Sequence, residues 1–119
     1  FVVTNESQVH ENYKDMIIKA RDIDSRVTGR STGHPVRALR NQMTKEYLKK
    51  EQEGAPFEEL ELLTLGGLRR AVVDGDVKTG SVMAGQIAGM VKEKMSCHDL
   101  IQKLVKETDD LIGGKGFYE

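Results

Sequence analysis

A chain of 119 residues is long enough for one modest domain, and 38% hydrophobic with 31% charged residues is the balance of a folded globular protein, not a disordered one. A formal net charge of −1 gives the whole chain no attraction for nucleic acid or a membrane surface, and no apolar run approaches the roughly 20 residues needed to span a bilayer. The single cysteine, Cys97, excludes an internal disulfide and fits a reducing, cytoplasmic setting.

The opening "FVVTNES" carries neither an initiator Met nor the basic, then apolar, pattern of a signal peptide. "FVV" reads as the tail of a strand cut open, which points to a piece of a longer protein. Thr4, Asn5 and Ser7 then offer N-cap side chains, and Val9, Tyr13, Met16, Ile17 and Ala20 recur at helical spacing, so a first amphipathic helix is expected. A strand running straight into such a helix is the last step of an α/β unit. On that reading the apolar face, including Met16 and Ile17, needs cover from sheet strands outside this chain.

The stretch "DIDSRVTGRSTGHP" alternates β-branched and polar residues between Gly29, Gly33 and Pro35, which predicts a short strand or extended loop. Val36, Leu39, Met43 and Tyr47 predict a second helix from Pro35 to about Glu53. Phe57, Leu60, Leu63, Leu68, Ala71 and Val72 predict a third from about Pro56, interrupted at Gly66 and Gly67 and closed by a turn at "DGD". The run "GDVKTGSVMAGQIAGMV" at 75–91 is expected to open a fourth helix. "SCHD" at 96–99 has capping-box spacing with Asp in the Glu position, and Leu100, Ile101, Leu104, Val105, Leu111 and Ile112 predict a fifth helix ending at Gly113 and Gly114.

Few residues carry obvious chemistry. His10, His34 and His98 fall on separate elements without metal-ligand spacing, so surface or capping roles are expected and no metal site is. Cys97 sits at a helix start with no neighbouring base in sequence, which favours an inert thiol. From Lys19 to Lys50 nine positive residues face three negative ones, a net of +6. Within that segment Arg26, Arg30, Arg37 and Arg40 bracket a glycine-containing loop, suited either to phosphate groups or an acidic protein, or to a plain solvated surface.

The glycine-rich run admits two readings as well. Gly85 and Gly89 with Ala84 and Ala88 could make a small-residue face for close packing. Alternatively "TGSVMAG" at 79–85 enters a helix whose unpaired N–H groups face a polar or anionic ligand while Met83 packs on something flat.

Taken in order, "FVVTNES", "KARDIDS", "GHPVRALRNQ" and "AVVDGDVKTGSVMAGQIAG", with the closing helix, resemble the C-terminal part of the FabK-type, flavin-dependent enoyl-(acyl-carrier-protein) reductases, relatives of the nitronate monooxygenases. The resemblance implies an α/β fold: the C-terminal portion of a (β/α)8 TIM barrel with a small α-rich domain, contributed by a chain that is itself mostly helical. It divides the chain into the end of the last barrel strand and its helix at 1–22, the small domain at 23–74, and a return segment with barrel-packing helices at 75–119. It implies FMN and NAD(P)H as cofactors, and enoyl-acyl carrier protein and the N-terminal barrel portion as partners; a homodimer is admitted, and nucleic acid and membrane insertion are not expected. Ser81, Met83, Ala84, Gly85 and Gln86 match the family positions beside the flavin ring and substrate, and Arg26, Arg30, Arg37 and Arg40 would face the carrier or the nicotinamide phosphates. None of the three histidines matches the family's catalytic-histidine motif, so the resemblance places no catalytic residue here. Alternatives are a nitronate monooxygenase and a non-catalytic, all-α interaction module.

Overall fold

A computed structural model describes residues 1–113, in two units: Val9–Lys92, and Phe1–Gln8 together with the segment from Glu93 onward. In the larger unit, helix α1 (Glu11–Lys19) begins at His10, whose Nδ1 accepts the Asn12 N–H at 3.0 Å. A histidine therefore does the capping that Thr4, Asn5 and Ser7 were expected to do. Those residues are occupied elsewhere: the Thr4 N–H donates to the Phe1 carbonyl and the Ser7 N–H to the Thr4 carbonyl, so "FVV" lies in a turn and not at the end of a strand.

On α1, Tyr13, Ile17 and Ala20 are buried and Met16 is half-buried. The expectation that Ile17 would lie open to water fails because the chain covers it itself. The segment Gln86–Met90 packs against α1, with Ala88 buried and Gly89 so close that a Cβ there would stand 2.7 Å from the Asp22 nitrogen.

Strands β1 (Ser25–Thr28) and β2 (Val36–Leu39) form an antiparallel hairpin with Ser25 opposite Leu39 and Thr28 opposite Val36. Residues 36–39 are thus strand, where a helix was predicted. Val36 and Leu39 suit helical spacing, but Val36 and Ala38 share one face of the hairpin while Arg37 and Leu39 share the other, and tertiary pairing decides between the two periods. The helix α2 (Gln42–Gln52) starts only after Asn41, which forms a reciprocal capping box with Thr44.

The glycine-rich run is not a fourth α-helix. Residues 82–84 lie extended beside β2, with the Leu39 N–H donating to the Val82 carbonyl at 2.8 Å and the Ala84 N–H to the Arg37 carbonyl at 3.3 Å. Only Gln86–Met90 coils, as a short 3-10 turn. Two of the glycines serve backbone approach in place of helix: a Cβ on Gly80 would meet the Asp76 carbonyl oxygen at 2.4 Å and the Ala71 nitrogen at 2.8 Å.

Helices α3 (Phe57–Thr64) and α4 (Gly67–Val72) are separated at Gly66, whose φ of 68° is left-handed. Met43, Tyr47 and Leu60 make a buried cluster flanked by Ala55 and Leu63. Burying a side chain such as Met43 or Leu60 contributes about 1.5–3 kcal/mol by its leaving water.

In the smaller unit the Asn5 N–H donates to the Met95 carbonyl at 3.0 Å, and the Glu6 carboxylate accepts the Cys97 N–H at 2.7 Å. That N–H holds the Glu6 carboxyl below its ordinary range. Helix α5 (Cys97–Leu111) is capped by Ser96 as its spacing predicts, and it buries none of its residues within the described structure. Gly114, expected to end it, lies outside the described residues. Among the described residues no helix is long and apolar enough to cross a membrane.

Candidate functional site

A cavity of about 360 Å³ lies inside the larger unit. One wall is the face of the hairpin that carries Thr28, Val36 and Ala38, and a second is Met43 and Tyr47 from α2. Phe57, Glu61, Thr64 and Leu68 close the far side, His34 and Thr32 stand where the hairpin turns, and Ser81 and Met83 enter from the glycine-rich run. The lining is mostly apolar with a few hydroxyls, one carboxyl and one imidazole, the make-up of a small-molecule site. Burial pushes the Tyr47 phenol above its ordinary pKa, so the hydroxyl stays protonated in the neutral range.

The 81–86 segment is held from several sides. The Ser81 N–H donates to the Gly67 carbonyl at 2.9 Å, and a Cβ on Gly67 would stand 2.6 Å from the Ser81 hydroxyl, so the buried serine needs glycine beside it. The Asn41 amide donates to the Val77 carbonyl at 2.9 Å and the Gly80 carbonyl at 2.8 Å, while its oxygen accepts the Thr44 N–H at 2.9 Å. Asp76 closes the turn before it by accepting from the Thr79 hydroxyl and from the Lys78 and Thr79 N–H groups. Those donors, with the Thr79 hydroxyl foremost, keep the Asp76 carboxyl below its ordinary value.

Of the expected site residues, Ser81 and Met83 line the cavity, and Met83 stays 43% exposed at its rim. Ala84 pairs with β2 through its N–H, and Gly85 and Gln86 lie exposed beyond the cavity lining. Gly85 has an ordinary φ of −77°, and a Cβ there would meet nothing within 4 Å. Among the described residues nothing asks for glycine at that position, in contrast to Gly67, Gly80 and Gly89.

The four arginines do not converge. Register places Arg26 on the cavity face of the hairpin and Arg37 on the other. Arg26 folds back onto the Ile23 and Ser25 carbonyls at 2.5 and 2.9 Å, and Arg37 donates to the Ser25 hydroxyl at 2.8 Å. Arg40 reaches Asp24 at 3.4 Å, where Arg21 is also paired at 3.1 Å. Arg30 lies in the hairpin turn, in the field of Glu51; burial works against the Glu51 charge, but the Ser31 hydroxyl and N–H at 2.6 and 3.0 Å hold that carboxyl below its ordinary value.

His34, expected at the surface, is exposed and also borders the cavity; His10 caps α1; His98 is exposed beside Asp99 at 3.3 Å. Sequence reasoning missed the roles of Tyr13, whose hydroxyl donates to the Met83 carbonyl, and of Asn41; both hold the site segment without lining the cavity. For Asn41 the signal was present, since Asn-x-x-Thr at the start of a helical stretch is a cap pattern.

A strand hairpin, three short helices and a returning extended segment surround a largely apolar cavity, and the chain belongs to the nitronate monooxygenase family, whose profile matches residues 1–107. It is 25% identical over 107 residues to a probable nitronate monooxygenase of Bacillus subtilis (strain 168), a match that takes in 90% of this chain and 31% of the relative. It superposes on FabK from Thermotoga maritima with a TM-score of 0.87 and 39% identity, over 93% of this chain and 35% of that one. A methionine-to-alanine variant of the same FabK gives a TM-score of 0.77 and 35% identity, over 93% of this chain and 32% of that one. The chain thus spans about a third of the length of these relatives, and its mostly helical fold is that of part of an α/β-barrel protein.

Proposed function

We propose that this chain is part of a flavin-dependent oxidoreductase, and specifically of an enoyl-(acyl-carrier-protein) reductase that uses NAD(P)H. The observation that carries the finer reading is the likeness to FabK, at 39% identity and a TM-score of 0.87, set against 25% identity to the probable nitronate monooxygenase.

The site geometry suits that chemistry. An exposed backbone at Gly85, open on the side where a Cβ would point, allows a flat ring system to come within van der Waals distance. Beside it Gln86 offers a carboxamide able to donate and accept at a polar ring edge, and Met83 offers a polarisable thioether to the ring face or to a bound acyl chain. Ser81 and Ala84 fix the two ends of that stretch. Hydride relay between NAD(P)H and the conjugated double bond is the chemistry that FMN supplies when bound. The residues of this chain bind and orient: Met83 and the cavity behind it shelter the apolar part of the substrate from water, and Gln86 fixes a polar edge. Proton donation and the phosphate cradle belong to the N-terminal barrel portion in this reading. Arg26, Arg30, Arg37 and Arg40, spread over the hairpin and its flanks, form a diffuse positive surface that steers an acidic carrier protein and makes no single phosphate clamp.

The deciding assay is flavin-loaded complete enzyme given NAD(P)H and either a crotonyl thioester or an alkyl nitronate. Thioester-dependent NAD(P)H consumption supports the reductase. Nitronate oxidation without it would put the enzyme with the monooxygenases.

A further inference from the structure

The pairing of Met83 with Ala38 is the kind in which the flanking residues make the hydrogen bonds: Leu39 donates to the Val82 carbonyl and Ala84 donates to the Arg37 carbonyl. In such a pair the two central residues turn their own carbonyls away from each other, so the Met83 carbonyl points off the edge of the sheet. An edge carbonyl that is buried without a donor costs free energy, and one left to water frees the strand to shift. Here the donor is a side chain. The Tyr13 hydroxyl, from the buried face of α1, reaches the Met83 carbonyl at 2.5 Å across 70 positions of sequence.

We propose that Tyr13 is a positioning residue, whose hydroxyl stands in for the missing next strand and so fixes the Met83 side chain at the cavity rim. With β2 on one side and Tyr13 on the other, the Met83 peptide is held at both edges, and its side chain shares a face with Ala38, whose small methyl leaves the cavity open behind it. Tyr13 does not line the cavity and acts through Met83. The effect on catalysis rests on the reading of Met83 as a substrate-side residue; the effect on Met83 itself does not.

The test uses the complete, flavin-loaded enzyme with 13C-methyl methionine, as wild type, Tyr13→Phe, Met83→Ala and the double variant. Tyr13→Phe keeps the buried ring and removes one hydroxyl. The Met83 methyl resonance should shift and broaden while that of Met43, 6% exposed in the core cluster, stays in place. KM for the enoyl thioester should rise about 3- to 10-fold, the worth of one hydrogen bond, with kcat changed by no more than about twofold. In the Met83→Ala background the same substitution should add nothing, since no side chain remains to be positioned. An unmoved Met83 resonance beside a native Met43 resonance overturns the proposal, as does an additive rise in KM. Loss of the Met43 resonance overturns it too, because Tyr13 would then be carrying the core. If no thioester turnover exists in the wild type, the reductase reading fails by itself, and the methyl resonances still decide the case for Tyr13.

Discussion

Gly85 and Gly89 stand four residues apart in a run where sequence alone treats them alike, and their surroundings separate them completely. A Cβ on Gly89 would be driven to 2.7 Å from the Asp22 nitrogen and 2.8 Å from the Arg21 carbonyl carbon, so the close-packing reading applies there. At Gly85 the space is empty. Gly89→Ala should therefore cost about 1–3 kcal/mol in denaturant unfolding through overpacking. Gly85→Ala should leave stability level or raise it by up to about 1 kcal/mol, by restricting the unfolded chain. If the proposed ring does lie against that backbone, Gly85→Ala should also weaken FMN retention, read from the fluorescence of released flavin. An alanine that lowered stability and spared the flavin would return Gly85 to a packing role.

At the level of elements, Asn41 joins α2 to the loop beneath the site segment, and its two functions separate chemically. Asn41→Asp keeps an oxygen for the Thr44 N–H, so the cap survives, but sets a carboxylate against the Val77 and Gly80 carbonyls. Asn41→Ala loses both. In thermal melts the alanine should show a cap loss of about 0.5–2 kcal/mol on top of the loop effect, while hydrogen exchange should find residues 77–80 loosened in both variants and the first turn of α2 loosened only in the alanine. The adjoining Asp76 turn gives a pH signature. Its carboxyl is held below the ordinary value of 3.8, so its contribution is complete above that pH and is lost as pH falls through the lower folded value. The acid limb of stability below about pH 3.8 should be flatter in Asp76→Asn, measured by unfolding across that range. The same elements show what a sequence displays and what it hides. α3 and α5 were readable because Leu60 and Leu63, or Ile101, Leu104 and Val105, keep helical spacing between recognisable ends. β2 was not, because Val36 and Leu39 fit a helix as well as a strand until β1 and residues 82–84 flank them. The site segment was half legible: its glycines announced close backbone contact, but whether another backbone or a ligand makes that contact depends on Ala71, Asp76 and Asp22, which only the folded chain brings near.

For the molecule as a whole, the apolar surface is informative. Ile101, Leu104 and Val105 on α5 are each close to half exposed, and Leu62 and Leu65 in the larger unit are more than two-thirds and about two-thirds exposed, at 72% and 67%. The 119-residue chain by itself should associate as its concentration rises, and Ile101→Glu with Leu104→Glu should reduce that association in sedimentation experiments. The scattered arginines predict behaviour of another sort. Reversing Arg30 and Arg40 in the complete enzyme should raise KM for a carrier-linked substrate at low salt and converge with wild type at high salt, with a coenzyme A-linked substrate nearly unaffected. Equal losses for both substrates would point instead to the nicotinamide phosphates. The tie between Asn5 and Met95, reinforced by Glu6 on Cys97, has a consequence for descent: inside the smaller unit it clasps together two segments that are far apart in sequence. A stretch of chain whose two ends are pinned together in this way tolerates insertion or trimming between them better than one whose ends lie apart.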